Sequence, residues 1–225
     1  MTPKHLVATL ALGTAGLLTG CAGVQPGVAA RVGDETIRVS DLNRITDGYC
    51  QAFERQLEGA GDVLTMEFLA SNVLHLLVLA EAARQLAADY GVEPTAAYTD
   101  RVATQEQTAA VLAPEAAEAS VVVDSSGAYI GDVMTSIGRL ALVEDGVAEP
   151  STDEALARGQ DVLSVWLAEN EPEVDPQYGL EVVDLQPTFV DNSTSFAVSD
   201  RALAGSPGEP DPEYAGTLPD SQRCG

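Results

Sequence analysis

The run Val73-Leu74-His75-Leu76-Leu77-Val78-Leu79-Ala80 constrains this chain more than any other part of it. On a helix it places apolar side chains on nearly every side, and such a helix has to be buried on several sides at once. The pattern predicts a helix from about Val63 to Tyr90, stopped by Gly91, around which the remaining elements pack. Ser71, Asn72 and His75 interrupt it, which argues against a membrane span.

The flanking sequence supplies partners. Ala30-Arg31-Val32 and Thr36-Ile37-Arg38-Val39 favour strands around a turn-prone Gly33-Asp34-Glu35, which predicts a hairpin. Ser40 reads as an N-cap, with Asp41 in the first turn complementing the helix dipole. The helix behind it runs to about Glu58 on a stripe of Leu42, Ile45, Tyr49, Phe53 and Leu57. Pro94-Thr95 opens another helix through about Leu112, and Pro114 breaks the chain. Tyr129, Val133, Ile137 and Leu140 mark a further helix ending at Glu144-Asp145-Gly146. Its start is left open, because Val121-Val122-Val123 favours a strand. Ser151 and Glu154 have capping-box spacing. The helix they open carries Leu156, Val162, Leu163 and Trp166 towards the core, until Pro172 and Asp175-Pro176 end it.

Leu180 to Leu185 reads as a strand that adds to the early hairpin. Beyond it the chain is polar; Phe196-Ala197-Val198 reads as the part that packs, and residues after Ala204 read as a loose tail. The fold class is therefore mainly α with a small β element, a helical domain closed by a hairpin plus a late strand. The boundaries are a leader over 1–20, a tether over 21–29, the helical domain over 30–190 and a polar tail over 191–225.

The leader begins with Lys4 and His5, followed by an apolar run from Leu6 to Leu18. That run is roughly 13 residues, short of the ~20 needed to cross a bilayer, and it has the form of a secretory signal. Leu18-Thr19-Gly20-Cys21 resembles the lipobox of bacterial lipoproteins. The resemblance implies cleavage before Cys21, diacylation of Cys21, and a protein held at the outer face of the bacterial plasma membrane. The tether then holds the domain within roughly 30 Å of the membrane.

Charge narrows the partners. The formal charge is −24, and removing Lys4 with a leader that contains no acid makes it −25. No basic cluster exists to meet a phosphate backbone, which excludes nucleic acid. Nor can basic residues hold the chain on anionic lipid, so the two acyl chains would do that. The acid is spread along the chain and reads as a solvated surface. With Cys21 lipidated, Cys50 and Cys224 remain. They could pair in an oxidising compartment, or stay as a buried thiol and a frayed one.

Val32-Gly33-Asp34-Glu35-Thr36-Ile37-Arg38-Val39-Ser40-Asp41-Leu42 resembles the opening of the SurA/PrsA/trigger-factor-related chaperones. Those begin with a strand pair, a turn of this kind and a Ser/Thr-Asp-Leu helix start. Asp175-Pro176-Gln177-Tyr178-Gly179 is similar to the segment with which such chains enter their closing strand. The family has Asn where Asp175 stands and Arg where Gln177 stands. The resemblance implies an extracytoplasmic, mostly helical domain that cradles unfolded or extended secreted polypeptides. Many members carry an inserted parvulin-type prolyl isomerase; here that interval has helical periodicity and lacks the parvulin histidine motifs. The other readings are a module docking one envelope protein and a degenerate prolyl isomerase.

The residues themselves suggest no enzyme and no cofactor. His75 is the one histidine left after processing and has no second His or Cys pair for a transition-metal site. No Gly-x-Ser-x-Gly is present, and the acidic segments lack calcium-loop spacing. No catalytic or metal-binding residue is assigned. Tyr49, Phe53, Phe68, Tyr129 and Trp166 are the large aromatic side chains of the helices. Core packing accounts for them; the sharper expectation is that some line a groove for apolar client segments.

Overall fold

The computed structural model describes residues 25–183, 185–191, 199–205 and 211–225. The early hairpin is present: β1 (Val28–Val32) pairs antiparallel with β2 (Glu35–Arg38), Val32 opposite Glu35. It runs directly into α1 (Val39–Ala60), whose N-cap is Arg38, without a side-chain cap. Ser40 is thus inside the helix and does not cap it. The reason is the hairpin: across it the Val39 amide, which opens the helix, already donates to the Gly27 carbonyl at 3.0 Å. Gly61, at φ 77°, closes α1 in the left-handed conformation that glycine adopts without penalty.

Two residues of strand, β3 (Leu64–Thr65), precede α2 (Met66–Tyr90), so the helix starts later than Val63. Thr65 ends the strand and caps the helix, accepting from the Phe68 amide at 3.1 Å. Buried residues lie all round α2: Leu69, Val73, Leu74, Val78, Leu79, Ala80, Ala83 and Leu86 among them. By length and hydropathy α2 could cross a membrane, but half of that stretch is buried inside the protein. It packs against α1, β1 and two later helices, Pro114–Glu144 and Thr152–Glu169. Each fully buried leucine such as Leu74 contributes about 1.5–3 kcal/mol relative to exposure.

α3 (Ala96–Ala109) is capped by Thr95, whose amide donates to Asp132 at 2.9 Å. α4 (Pro114–Glu144) is one helix of 31 residues. Val121-Val122-Val123 lies within it. The strand preference of valine amounts to less than ~1 kcal/mol per residue, and burial of Val123 in the core outweighs it. α5 (Thr152–Glu169) starts with the full capping box of Ser151 and Glu154. The contact between α4 and α5 is very close, with Gly138 against Ala155 and Gly159, and Gly159 against Met134. Met134, Ile137, Gly138 and Ala141 face that contact, which turns Leu140 outwards: it is 49 % exposed, not part of the core stripe.

The β elements differ from the expected arrangement. β4 (Glu173–Val174) joins the early hairpin, giving the order β2-β1-β4. β5 (Leu180–Val183) pairs instead with β6 (Gln186–Phe189) in a hairpin of its own. The bend at Pro176–Tyr178, with Asp175 capping the Gln177 amide, separates β4 from β5 and sends β5 elsewhere.

The described part of the C-terminus also folds back. α6 (Asp200–Ala204) is followed by α7 (Pro212–Gly216), a turn at Asp220–Gln222 and β7 (Arg223–Cys224), which pairs with β3. Cys50 and Cys224 form a disulfide, Cα atoms 5.7 Å apart, with Cys224 fully buried. Residues after Ala204 are therefore not simply a loose tail: Ala215 and Cys224 belong to the interior. Phe196-Ala197-Val198 and the lipobox at Leu18-Thr19-Gly20-Cys21 lie outside the described residues.

Candidate functional site

The start of α2 sets up the site. With Thr65 capping, Met66 and Phe68 fall in the first turn, beside the C-terminal segment that β7 and the disulfide hold there. Phe68 meets Phe189, the last residue of β6, with ring centroids 5.4 Å apart and planes tilted by 33°. Ser71 holds the bend that leads into the β5–β6 hairpin. Its buried hydroxyl lies 2.9 Å from the Tyr178 carbonyl and 3.0 Å from the Glu67 carbonyl, sharing one proton between them.

Two recesses adjoin this ring pair. One, of about 210 Å³, is lined by Met66, Phe68, Tyr178, Phe189, Tyr214 and Leu218, with Glu67, Ser221 and Gln222 as polar groups. The other, of about 560 Å³, is lined by Leu57, Val63, Leu64, Pro187 and Pro212, with Asp62 and Asn72, and shares Phe68 and Phe189 with the first. Together they make a trough in which apolar surface is the larger share, mixed with polar groups that include Thr65 and Ser71. The first recess is smaller than the ~300–1,000 Å³ of ordinary small-molecule sites and suits one or two side chains.

The five aromatic residues, read as core side chains of which some line a groove, divide: Tyr49, Phe53, Tyr129 and Trp166 pack against the core in separate places. Tyr49 and Phe53 pair on α1 at 4.9 Å, and Tyr49 sits near Asp124 of α4. Burial, reinforced by that carboxylate, raises the Tyr49 phenol above its usual range. Tyr129 packs edge-on against Tyr98 at 5.4 Å, with the Arg84 guanidinium 6.0 Å from its ring. Trp166 stands in a separate recess between α2 and α5, donating its indole N–H to Asp89 at 3.2 Å. Phe68 alone of the five lines the trough. Helical spacing assigns each residue to a face of its own helix but does not say which helices share a space.

The partners of Phe68 that sequence reasoning missed are Phe189, Tyr178, Tyr214 and Leu218. All come from segments read as strand, turn or tail. The available signal was weak: isolated aromatic residues in an otherwise polar stretch rich in Pro and Gly.

His75 is half-buried in α2. Desolvation lowers its pKa from the ordinary 6.5, opposed by a hydrogen bond to the Leu185 backbone. Leu185 occupies the β5–β6 turn with φ 65°, an uncommon conformation for a bulky residue. Nε2 of His75 is buried with no hydrogen-bond partner among the described residues. No group of three or more His, Cys, Asp or Glu side chains is placed to hold a metal ion among the described residues.

No protein-family model, curated protein or solved structure matches this chain.

Proposed function

We propose that the chain is a lipoprotein anchored through Cys21 at the outer face of the bacterial plasma membrane, whose helical domain binds unfolded or extended secreted polypeptides as a chaperone-like module without catalysis. The observation that carries this reading is the trough across Phe68 and Phe189. An apolar client side chain fits beside the two rings, and Ser221 and Gln222 offer hydrogen-bonding groups to the client backbone. The leader ending in Leu18-Thr19-Gly20-Cys21 supports the location, and the resemblance of Val32 to Leu42 to SurA-type openings supports the client class. The net charge, −24 for the full sequence and −25 once Lys4 leaves with the leader, supports solubility while apolar surface is offered to clients.

The test is aggregation of an unfolded client, measured by light scattering with the protein in molar excess. Wild type suppresses it, and Phe68→Ser and Phe189→Ser lose most of the effect while keeping the wild-type circular dichroism spectrum. Wild type without effect removes the reading. Capture of a single stoichiometric partner from envelope extract, without client binding, favours a docking module instead.

A further inference from the structure

The recess at Trp166 has a chemistry of its own. It lies between the last turn of α2 and the second half of α5 and has a volume of about 380 Å³. Its apolar lining includes Tyr90, Val162, Val165 and Trp166, and two of these are left to solvent, Tyr90 at 44 % and Val165 at 60 % exposure. Asp89, Asp161 and Glu169 supply three carboxylates. The one cation, Arg158, is engaged by Asp145 at 3.3 Å. Two helices end here, and neither carries a basic residue in its last turn. Helix C-termini hold partial negative charge and favour a cation. The hydrogen bond to Asp89 fixes the edge of the Trp166 ring.

We propose that this recess docks a basic extended segment of another polypeptide, an arginine or lysine lying against Trp166 and a neighbouring apolar side chain against Val162 and Val165. Cations are drawn to an indole face, and the stems of Arg and Lys cover apolar surface while their heads stay with carboxylates. Charge complementarity favours a basic partner and repels nucleic acid and anionic lipid. The apolar lining favours a polypeptide over a bare cation. None of the residues lining the trough at Phe68 lines this recess, so the inference does not rest on that reading.

Trp166 is the sole tryptophan, which makes its emission a reporter of this recess. The intact chain is titrated with an acetylated, amidated octapeptide alternating arginine and leucine, and with its glutamate counterpart. The arginine peptide gives a saturable change in Trp166 emission that weakens about tenfold as salt is raised and about tenfold in the double variant Asp161→Asn, Glu169→Gln. Both substituted residues are exposed, and circular dichroism checks that the variant folds. Phe68→Ser leaves the response intact. The proposal is overturned by any of four results: no saturable change, equal binding of the glutamate peptide, an unaffected double variant, or loss of the response in Phe68→Ser. Spermidine binding as tightly as the arginine peptide also overturns it, in favour of a small-cation site.

Discussion

Gly138 and Gly131 lie two turns apart on α4, and the same substitution at each has opposite consequences. A Cβ on Gly138 runs into the Ala155 carbonyl oxygen and comes to 2.5 Å from the Gly159 nitrogen and 2.9 Å from the Ala155 carbonyl carbon. These are backbone atoms, so no side chain can swing away; α5 itself has to move until the contacts exceed 3.0 Å. Overpacking of a core costs about 1–3 kcal/mol, and backbone against backbone belongs at the upper end. Replacing Gly by Ala in a helix returns about 1 kcal/mol. Gly138→Ala therefore destabilises by about 2 kcal/mol net, a fall in Tm of about 4–8 °C for a chain of this size. At Gly131 nothing lies within 4 Å of the added Cβ. Gly131→Ala retains the helix-propensity gain of about 1 kcal/mol and raises Tm by about 2–4 °C. Thermal melting by circular dichroism reads both. A Gly138→Ala protein as stable as wild type refutes the close α4–α5 contact, and a destabilised Gly131→Ala refutes the assignment of that face as open.

The disulfide and His75 give further outcomes. Cys50 and Cys224 are separated by 174 residues, and closing such a loop is worth about 5 kcal/mol in the chain-entropy limit. Cys224→Ser lowers Tm by less than that limit implies, because residual structure in the unfolded chain offsets part of it, and it exposes the segment from Tyr214 to Gly225 to proteolysis; both thiols free in the non-reduced mass spectrum would falsify the pairing. The fold favours neutral His75, since burial lowers its pKa below 6.5. The unfolded chain takes up a proton as pH falls through 6.5 and the folded chain does not, so this contribution is whole above 6.5 and is lost as pH falls towards the folded pKa. Urea melts at about pH 7.5 and about pH 5 show wild type losing more stability than His75→Gln, the carboxylates titrating equally in both. An identical pH dependence in the two proteins refutes the burial of His75.

Much of the helical framework was legible because its signals are local. The capping box at Ser151 and Glu154 and the glycine after Tyr90 mark helix ends by chemistry confined to a few residues. The errors fell where a distant partner took over a local group. Gly27 took the Val39 amide from the register in which Ser40 would cap, and the pairing of Leu64 with Cys224 held Val63-Leu64 out of α2. At Val121 to Val123, burial along a long helix overrode strand propensity.

The site was less legible than the frame. Phe68 could be read as a groove candidate, yet its ring partner Phe189 lies 121 positions away, by difference of the residue numbers, in a hairpin whose pairing the sequence leaves open. The sequence by itself determined that an apolar helix near the middle of the chain must be surrounded, that further helices would begin at Thr95 and Ser151, and that the surface would be acidic. Tertiary structure alone decided which strand joined the first hairpin, that the C-terminal segment would return to α1, and that five aromatic residues would divide among separate places. Periodicity and capping act over one or two turns, so they are written in the sequence. Which faces meet depends on how all the helices, strands and the disulfide close together, and that is a property of the packed molecule.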